Sequence, residues 1–137
     1  MVVNVRTILI ADPNPHVRRF LKREMAEEGY EVLLAHTFQE LVRLIFQPGT
    51  IDLVIVDPDF PDIPVHALLK RLHNRVPPVP IIMHTHDAAV GNDLEEKSSL
   101  HIVEKRGNSI ERLKQLASQL LPAAGNSTDP ATNQQRN

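Results

Sequence analysis

Residues 51–62 read Ile-Asp-Leu-Val-Ile-Val-Asp-Pro-Asp-Phe-Pro-Asp, and this stretch decides the fold. Its first half is apolar at all but one position and rich in β-branched residues, and acids and prolines close it off. Such a run is too short for a buried helix. A strand that is apolar on nearly every residue is covered on both faces, as in a parallel sheet. Runs of the same kind recur at 5–10 (VRTILI), 31–35 (EVLLA), 79–84 (VPIIMH) and 101–104 (HIVE). Five strands are therefore expected.

The intervening segments carry helical signals. Asn14 stands where a first helix needs a cap, Pro15 fits its first turn, and Gly29 fits its end. Val17, Phe20, Leu21 and Met25 recur at helical spacing and are expected to face inward. Thr37 and Glu40 form a capping-box pattern for a second helix bearing Leu41, Leu44 and Ile45. A third helix is expected from Val65 to about Arg75, burying Leu68, Leu69 and Leu72. The last follows Asn108 and turns Ile110, Leu113, Leu116 and Leu120 inward. Between Asp87 and Leu100 the chain is polar and weakly periodic, so any helix there is short.

Alternating strands and helices predict an α/β class. The architecture expected is a doubly wound, five-stranded parallel sheet with right-handed crossovers and helices on both faces. Residues 1–121 are expected to form one domain. Residues 122–137 (PAAGNSTDPATNQQRN) are polar and rich in breakers, so they are read as a disordered tail.

Composition narrows the function. The formal charge of −2 gives no general attraction to nucleic acid or an anionic membrane, and neither is expected as a partner. The absence of cysteine excludes disulfides, thiolate metal sites and a Cys nucleophile. No apolar stretch approaches the ~20 residues that cross a bilayer, and Met1–Ala11 lacks a secretory pattern, so a cytoplasmic location is expected. There is no glycine-rich phosphate loop, nor a Ser at a sharp strand-to-helix turn. The basic run Arg18, Arg19, Lys22 and Arg23 is balanced by Glu24, Glu27 and Glu28, and reads as a solvated helix face. His84, His86 and His101 fall on neighbouring strands, but no closely spaced third ligand supports a metal site; edge histidines are the simpler reading.

In a doubly wound sheet the functional crevice lies at the carboxyl ends of the strands. Asp12, Asp57, Thr85 and Lys105 each follow or end a strand, so the fold should gather them from distant parts of the chain. Two close carboxylates repel, and a divalent cation relieves that repulsion. A lysine brings a mobile positive charge and a threonine a hydroxyl donor, both suited to phosphoryl oxygens. An Asp carboxylate can itself be the nucleophile that forms an acyl phosphate.

With those residues in place, the chain resembles the receiver domain of bacterial response regulators, which has a flavodoxin-like fold. The segments that carry the resemblance are ILIADPNPHVRRFLKREMAEEGYEV, IDLVIVDPDFPD, IIMHT and HIVEK, with Pro61 four residues beyond Asp57. The resemblance covers about Val5 to Leu121. The resemblance implies a non-enzymatic, stand-alone signalling domain. Asp57 would accept a phosphoryl group from a histidine kinase or phosphotransfer protein. Asp12, Asp57 and the backbone carbonyl of Asp59 would hold Mg2+, Thr85 would act as the switch hydroxyl, and Lys105 would pair with the phosphoryl group. The output would be a changed affinity for a partner protein, and a homodimer is compatible with the same surface.

The chain also departs from the family pattern. Pro13 replaces the second acid after the first strand, so Mg2+ binding is expected to be weakened. His86 follows the switch Thr where a small residue is usual, Ile102 takes the place of the aromatic switch residue, and Arg106 replaces the Pro after Lys105. These changes favour a competing expectation, a pseudo-receiver that keeps the fold and binds partners without phosphorylation.

Overall fold

The structure, a computed structural model, describes residues 5–47, 49, 51–60, 67, 79–87 and 100–121. In chain order its elements are β1 (Thr7–Ala11), α1 (Pro15–Glu27), β2 (Glu31–Ala35), α2 (Phe38–Phe46), β3 (Leu53–Val56), β4 (Ile81–Thr85), β5 (Leu100–Glu104) and α3 (Ser109–Leu120). Apart from Ala67, the helix expected from Val65 to Arg75 lies outside the described residues, as do residues 88–99 and the tail at 122–137.

All five strands join one parallel sheet in the order β2-β1-β3-β4-β5. The chain runs outward from β1 to β2, then crosses back to place β3 on the other side of β1. Strand order therefore reverses between β1 and β3, and side chains following those two strands meet in the crevice this opens. This is the doubly wound arrangement expected from the apolar runs.

The sheet separates two apolar layers. On one face Leu9, Val54, Val56, Ile81 and Met83 pack with Leu41 and Ile45 of α2. On the other, Ile8, Ile10, Ile55, Ile82 and Val103 pack with Leu21 and Met25 of α1 and Leu113 and Ala117 of α3. Each large side chain fully buried in these layers contributes about 1.5–3 kcal/mol of transfer free energy. The alternation within β1 and β3 shows why they are apolar throughout: successive residues serve opposite layers. At the sheet edge β2 is half exposed, and Leu33 reaches solvent.

Helix boundaries follow the expected chemistry. Asn14 Oδ1 accepts from the backbone N–H groups of His16 and Val17 at 2.8 and 3.4 Å, and Gly29 leaves α1 at a φ of 98°. Thr37 Oγ1 accepts from Glu40 N at 3.1 Å. The returning half of this box is displaced by one residue, because the Glu40 carboxylate accepts from His36 N at 2.6 Å. One inward assignment is corrected: Phe20 is 41% exposed. It lies at the margin of the apolar stripe of α1, where the Arg23 guanidinium covers its ring at 5.5 Å.

Candidate functional site

Register brings the charged residues together. Ala11 pairs with Val56 across β1 and β3, so Asp12 and Asp57 leave the sheet side by side. The backbone continues that pairing, with Asp57 N donating to the Ala11 carbonyl at 2.9 Å. Two strands away, Thr85 pairs with Glu104, and Lys105 N donates to the Thr85 carbonyl at 2.8 Å. Residues separated by up to 93 positions in sequence thus share one edge of the sheet.

At this edge the Lys105 ammonium bridges both acids. Its Nζ donates to Asp12 Oδ2 at 2.9 Å and to Asp57 Oδ2. The three side chains are largely withdrawn from water, at 10% exposure for Lys105, 2% for Asp12 and 5% for Asp57. Burial alone would push the Lys105 pKa down, but the hydrogen bonds and charges of Asp57 and Asp12 hold it above the usual lysine value. The remaining carboxylate oxygens are also engaged. Asp57 Oδ1 accepts from Asp59 N at 2.8 Å, and Asp12 Oδ1 accepts from Asn14 N at 2.8 Å.

Thr85 is buried at the same edge, but it stands outside this triad. Its Oγ1 accepts from Asp87 N at 3.1 Å. Asp59 is exposed and reaches the site through its backbone amide. Ile102 is partly buried against the layer beneath α2.

Three contributors escaped the sequence reading. Arg18, read there as part of a solvated face, sends its guanidinium back to the Asp12 carbonyl at 2.6 Å and holds the loop that contains Pro13. His84, read as an edge histidine, is 4% exposed and lies on the α1–α3 side of β4. Its Nε2 sits 3.0 Å from Ser109 Oγ, which makes Ser109 the third. The legible signal was a histidine inside an otherwise apolar strand; nothing in the spacing pointed to Ser109. His86 is exposed, and among the described residues no three His, Cys, Asp or Glu side chains form a metal-holding group.

Burial holds the His84 pKa down at about 4; Lys105 and His86 push the same way, while Asp57 opposes them. Arg106 lines one cavity together with His84 and Lys105 and adds a further positive charge there. The unfolded chain, with an ordinary imidazole pKa near ~6.5, takes up this proton first as pH falls. His84 therefore destabilises the fold increasingly from pH ~6.5 downward, approaching about 3 kcal/mol near pH 4. Urea unfolding of His84→Leu should lack that component, so its stability advantage over the natural chain grows between pH 7 and 4.5. Parallel pH profiles for the two proteins would contradict this assignment.

The arrangement pairs a buried carboxylate with an ordered ammonium at the mouth of a parallel sheet. Its oxygen donors suit a hard cation, because Mg2+ commonly takes only one or two carboxylates and completes its shell with water or phosphate.

Comparison with known proteins identifies the family through its sequence pattern. The sequence pattern of the response regulator receiver domain matches residues 8–117. The response regulator TrrA of Thermotoga maritima, solved in complex with Mg2+-BeF, is 29% identical. The match covers 85% of this chain and 100% of that one, with a TM-score of 0.74. A chain from the complex of histidine kinase ThkA with TrrA is 28% identical and matches over 85% of this chain and 99% of that one, at a TM-score of 0.73. The chemotaxis response regulator CheY4 of Vibrio cholerae shares the fold at 21% identity and a TM-score of 0.71, over 86% of this chain and all of that one. The DNA-binding transcriptional regulator NtrC of a Bradyrhizobium species is 36% identical over 77 residues, which are 56% of this chain and 16% of that protein. The chain thus spans only a small part of that relative's length. With the doubly wound sheet, the buried acid pair and a family match over residues 8–117, the chain belongs to the response regulator receiver domain family.

Proposed function

We propose that Asp57 accepts a phosphoryl group from a histidine kinase or phosphotransfer protein, and that the domain signals by changing its affinity for a partner protein. The observation that carries this reading is the Lys105 ammonium held between Asp57 and Asp12 at the reversal of strand order. An Asp57 oxygen forms the new bond to phosphorus as the donor's phosphorus–nitrogen bond breaks, and the donor imidazole leaves with the electron pair. Lys105 then faces a phosphoryl oxygen in place of a carboxylate. The Asp59 amide holds the other Asp57 oxygen and so orients the acceptor. The Thr85 hydroxyl stands at the same edge to donate to a phosphoryl oxygen once it turns from Asp87.

Asp12, Asp57 and the backbone carbonyl of Asp59 are the oxygen donors that would hold Mg2+. When bound, the ion offsets carboxylate repulsion and neutralises phosphate charge. TrrA, related at 29% identity, was solved with Mg2+-BeF, which supports the same chemistry in this chain. The ThkA–TrrA complex supports a histidine kinase as donor. Pro13 contributes no carboxylate, so affinity for Mg2+ is low for this family. Pro13→Asp should tighten Mg2+ binding roughly tenfold, equivalent to ~1.4 kcal/mol. Calorimetric titration checks this, and unchanged affinity would remove Pro13 as the cause.

An amide NMR titration with Mg2+ and beryllofluoride, a mimic of the phosphoryl group, tests the whole reading. Saturable shifts at Asp57, Thr85 and Lys105, absent in Asp57→Ala, are expected. The pseudo-receiver is the second reading, favoured by Pro13 and by Lys105 already bridging the two acids. A silent titration at millimolar Mg2+ would decide for it.

A further inference from the structure

We propose that His84 and Ser109 form a clamp that positions Lys105 against Asp57, through a hydrogen bond that ties the end of β4 to the start of α3. Lys105 opens the four-residue link to α3, Lys105-Arg106-Gly107-Asn108. Arg106, Gly107 and Asn108 are exposed, and no proline restricts their backbone. Burial therefore does little to hold this link. Hydrogen bonds at its two ends do so instead.

At one end Lys105 N donates to the Thr85 carbonyl at 2.8 Å. At the other, Ser109 Oγ lies 3.0 Å from His84 Nε2. His84 and Thr85 are adjacent on β4, so one strand end grips both limits of the link. Within it, Ser109 N donates to the Arg106 carbonyl at 3.0 Å and closes a turn. The ammonium that bridges Asp12 and Asp57 thus extends from a short loop pinned on either side.

Two further features single out this bond. Asn14 and Thr37 cap α1 and α2 through their side chains, yet Asn108 makes no such bond at the start of α3. The hydroxyl nearest that start, on Ser109, is committed to His84 instead. The second feature is the histidine itself. It occupies a strand position in an apolar layer, and its buried Nδ1 has no partner among the described residues. An uncapped helix and an unsatisfied imidazole nitrogen both cost stability. An aliphatic residue at position 84 would avoid the second cost. The arrangement makes sense when placing Lys105 is what these two residues do.

Both are positioning residues, acting through Lys105. Their effect on phosphorylation rests on Asp57 being the acceptor, but their effect on Lys105 does not. The test is the NMR signal of the Lys105 ammonium in the metal-free protein, followed in His84→Leu, Ser109→Ala and the double variant. Each single change should broaden or shift that signal, and the double variant should be no worse than either. Ser109→Thr and His84→Gln, which keep a bonding group, should restore it. Uptake of phosphoryl groups from phosphoramidate should fall about tenfold in His84→Leu and Ser109→Ala. An unchanged Lys105 signal in Ser109→Ala would overturn the clamp, even if melting temperatures moved. If the natural chain takes up no phosphoryl group, the ammonium signal still decides the clamp, and only the acceptor reading fails.

Discussion

Replacing Lys105 with Met is expected to lower the unfolding free energy of the metal-free protein at pH 7 by about 3–5 kcal/mol. Methionine keeps an unbranched side chain that is only one atom shorter and removes its charge. Asp12 and Asp57 then face one another nearly out of contact with water, without the ammonium that bridges them. Breaking a buried ion pair from one side is costly because the charge left behind has lost both water and partner. Here two like charges are left, and the strain is eased when one carboxyl protonates. The loss should therefore shrink as the pH falls toward the ordinary carboxylate range. Millimolar Mg2+ should recover more stability in Lys105→Met than in the natural chain, because the ion no longer competes with a resident ammonium. Urea unfolding followed by circular dichroism measures all three effects. A loss below 1 kcal/mol, unaffected by Mg2+, would show that the acids are not held as a charged pair.

The natural chain has its own pH limit at this site. The Lys105 pKa is raised on folding, so its contribution is complete below the unfolded lysine value and is lost as pH rises through the folded one. The corresponding window opens above pH ~10. His84, with its depressed value, erodes stability at the acid end instead. The two groups line one cavity and bound the stable range from opposite directions.

Much of this was legible in the sequence for a definite physical reason. A parallel sheet buries both faces of its strands, so IDLVIV and TILI announce themselves as apolar runs without alternation. Asn14-Pro15 and Thr37–Glu40 mark helix starts because orphan N–H groups demand a small set of residue types. Once the fold was read, the strand-end rule gathered Asp12, Asp57, Thr85 and Lys105 at one edge. What stayed hidden were contacts set by rotamer and loop path. Arg18 has the pattern of a solvated helix residue, yet it bends back to the Asp12 carbonyl. Phe20 keeps the helical spacing of its neighbours and still emerges, because the stripe of α1 is narrower than the spacing suggests. His84 and Ser109 are 25 residues apart, and only the three-dimensional neighbourhood of β4 and α3 joins them.

Replacing Asp57 with Asn should separate phosphorylation from folding. The triad of Asp12, Asp57 and Lys105 carries a net charge of −1 when all three groups are ionised. Lys105→Met leaves −2 in the same buried space, whereas Asp57→Asn leaves a neutral Lys105–Asp12 pair. Asparagine also matches the shape of aspartate, but its single amide oxygen can accept from Asp59 N or from Lys105 and not from both, so one of the two bonds is lost. Stability should therefore change by no more than about 1 kcal/mol, the net worth of one exchanged hydrogen bond. Phosphoryl uptake should fall by at least roughly a thousandfold, because a neutral amide cannot serve as the nucleophile. Intact-mass measurement after exposure to phosphoramidate and Mg2+ reads the modification directly, and urea unfolding of the same sample reads the fold. A phosphorylated Asp57→Asn protein would place the acceptor elsewhere in the chain. An unphosphorylated natural chain that still engages its partner would instead make the Lys105-bridged acid pair a structural feature of an interaction module.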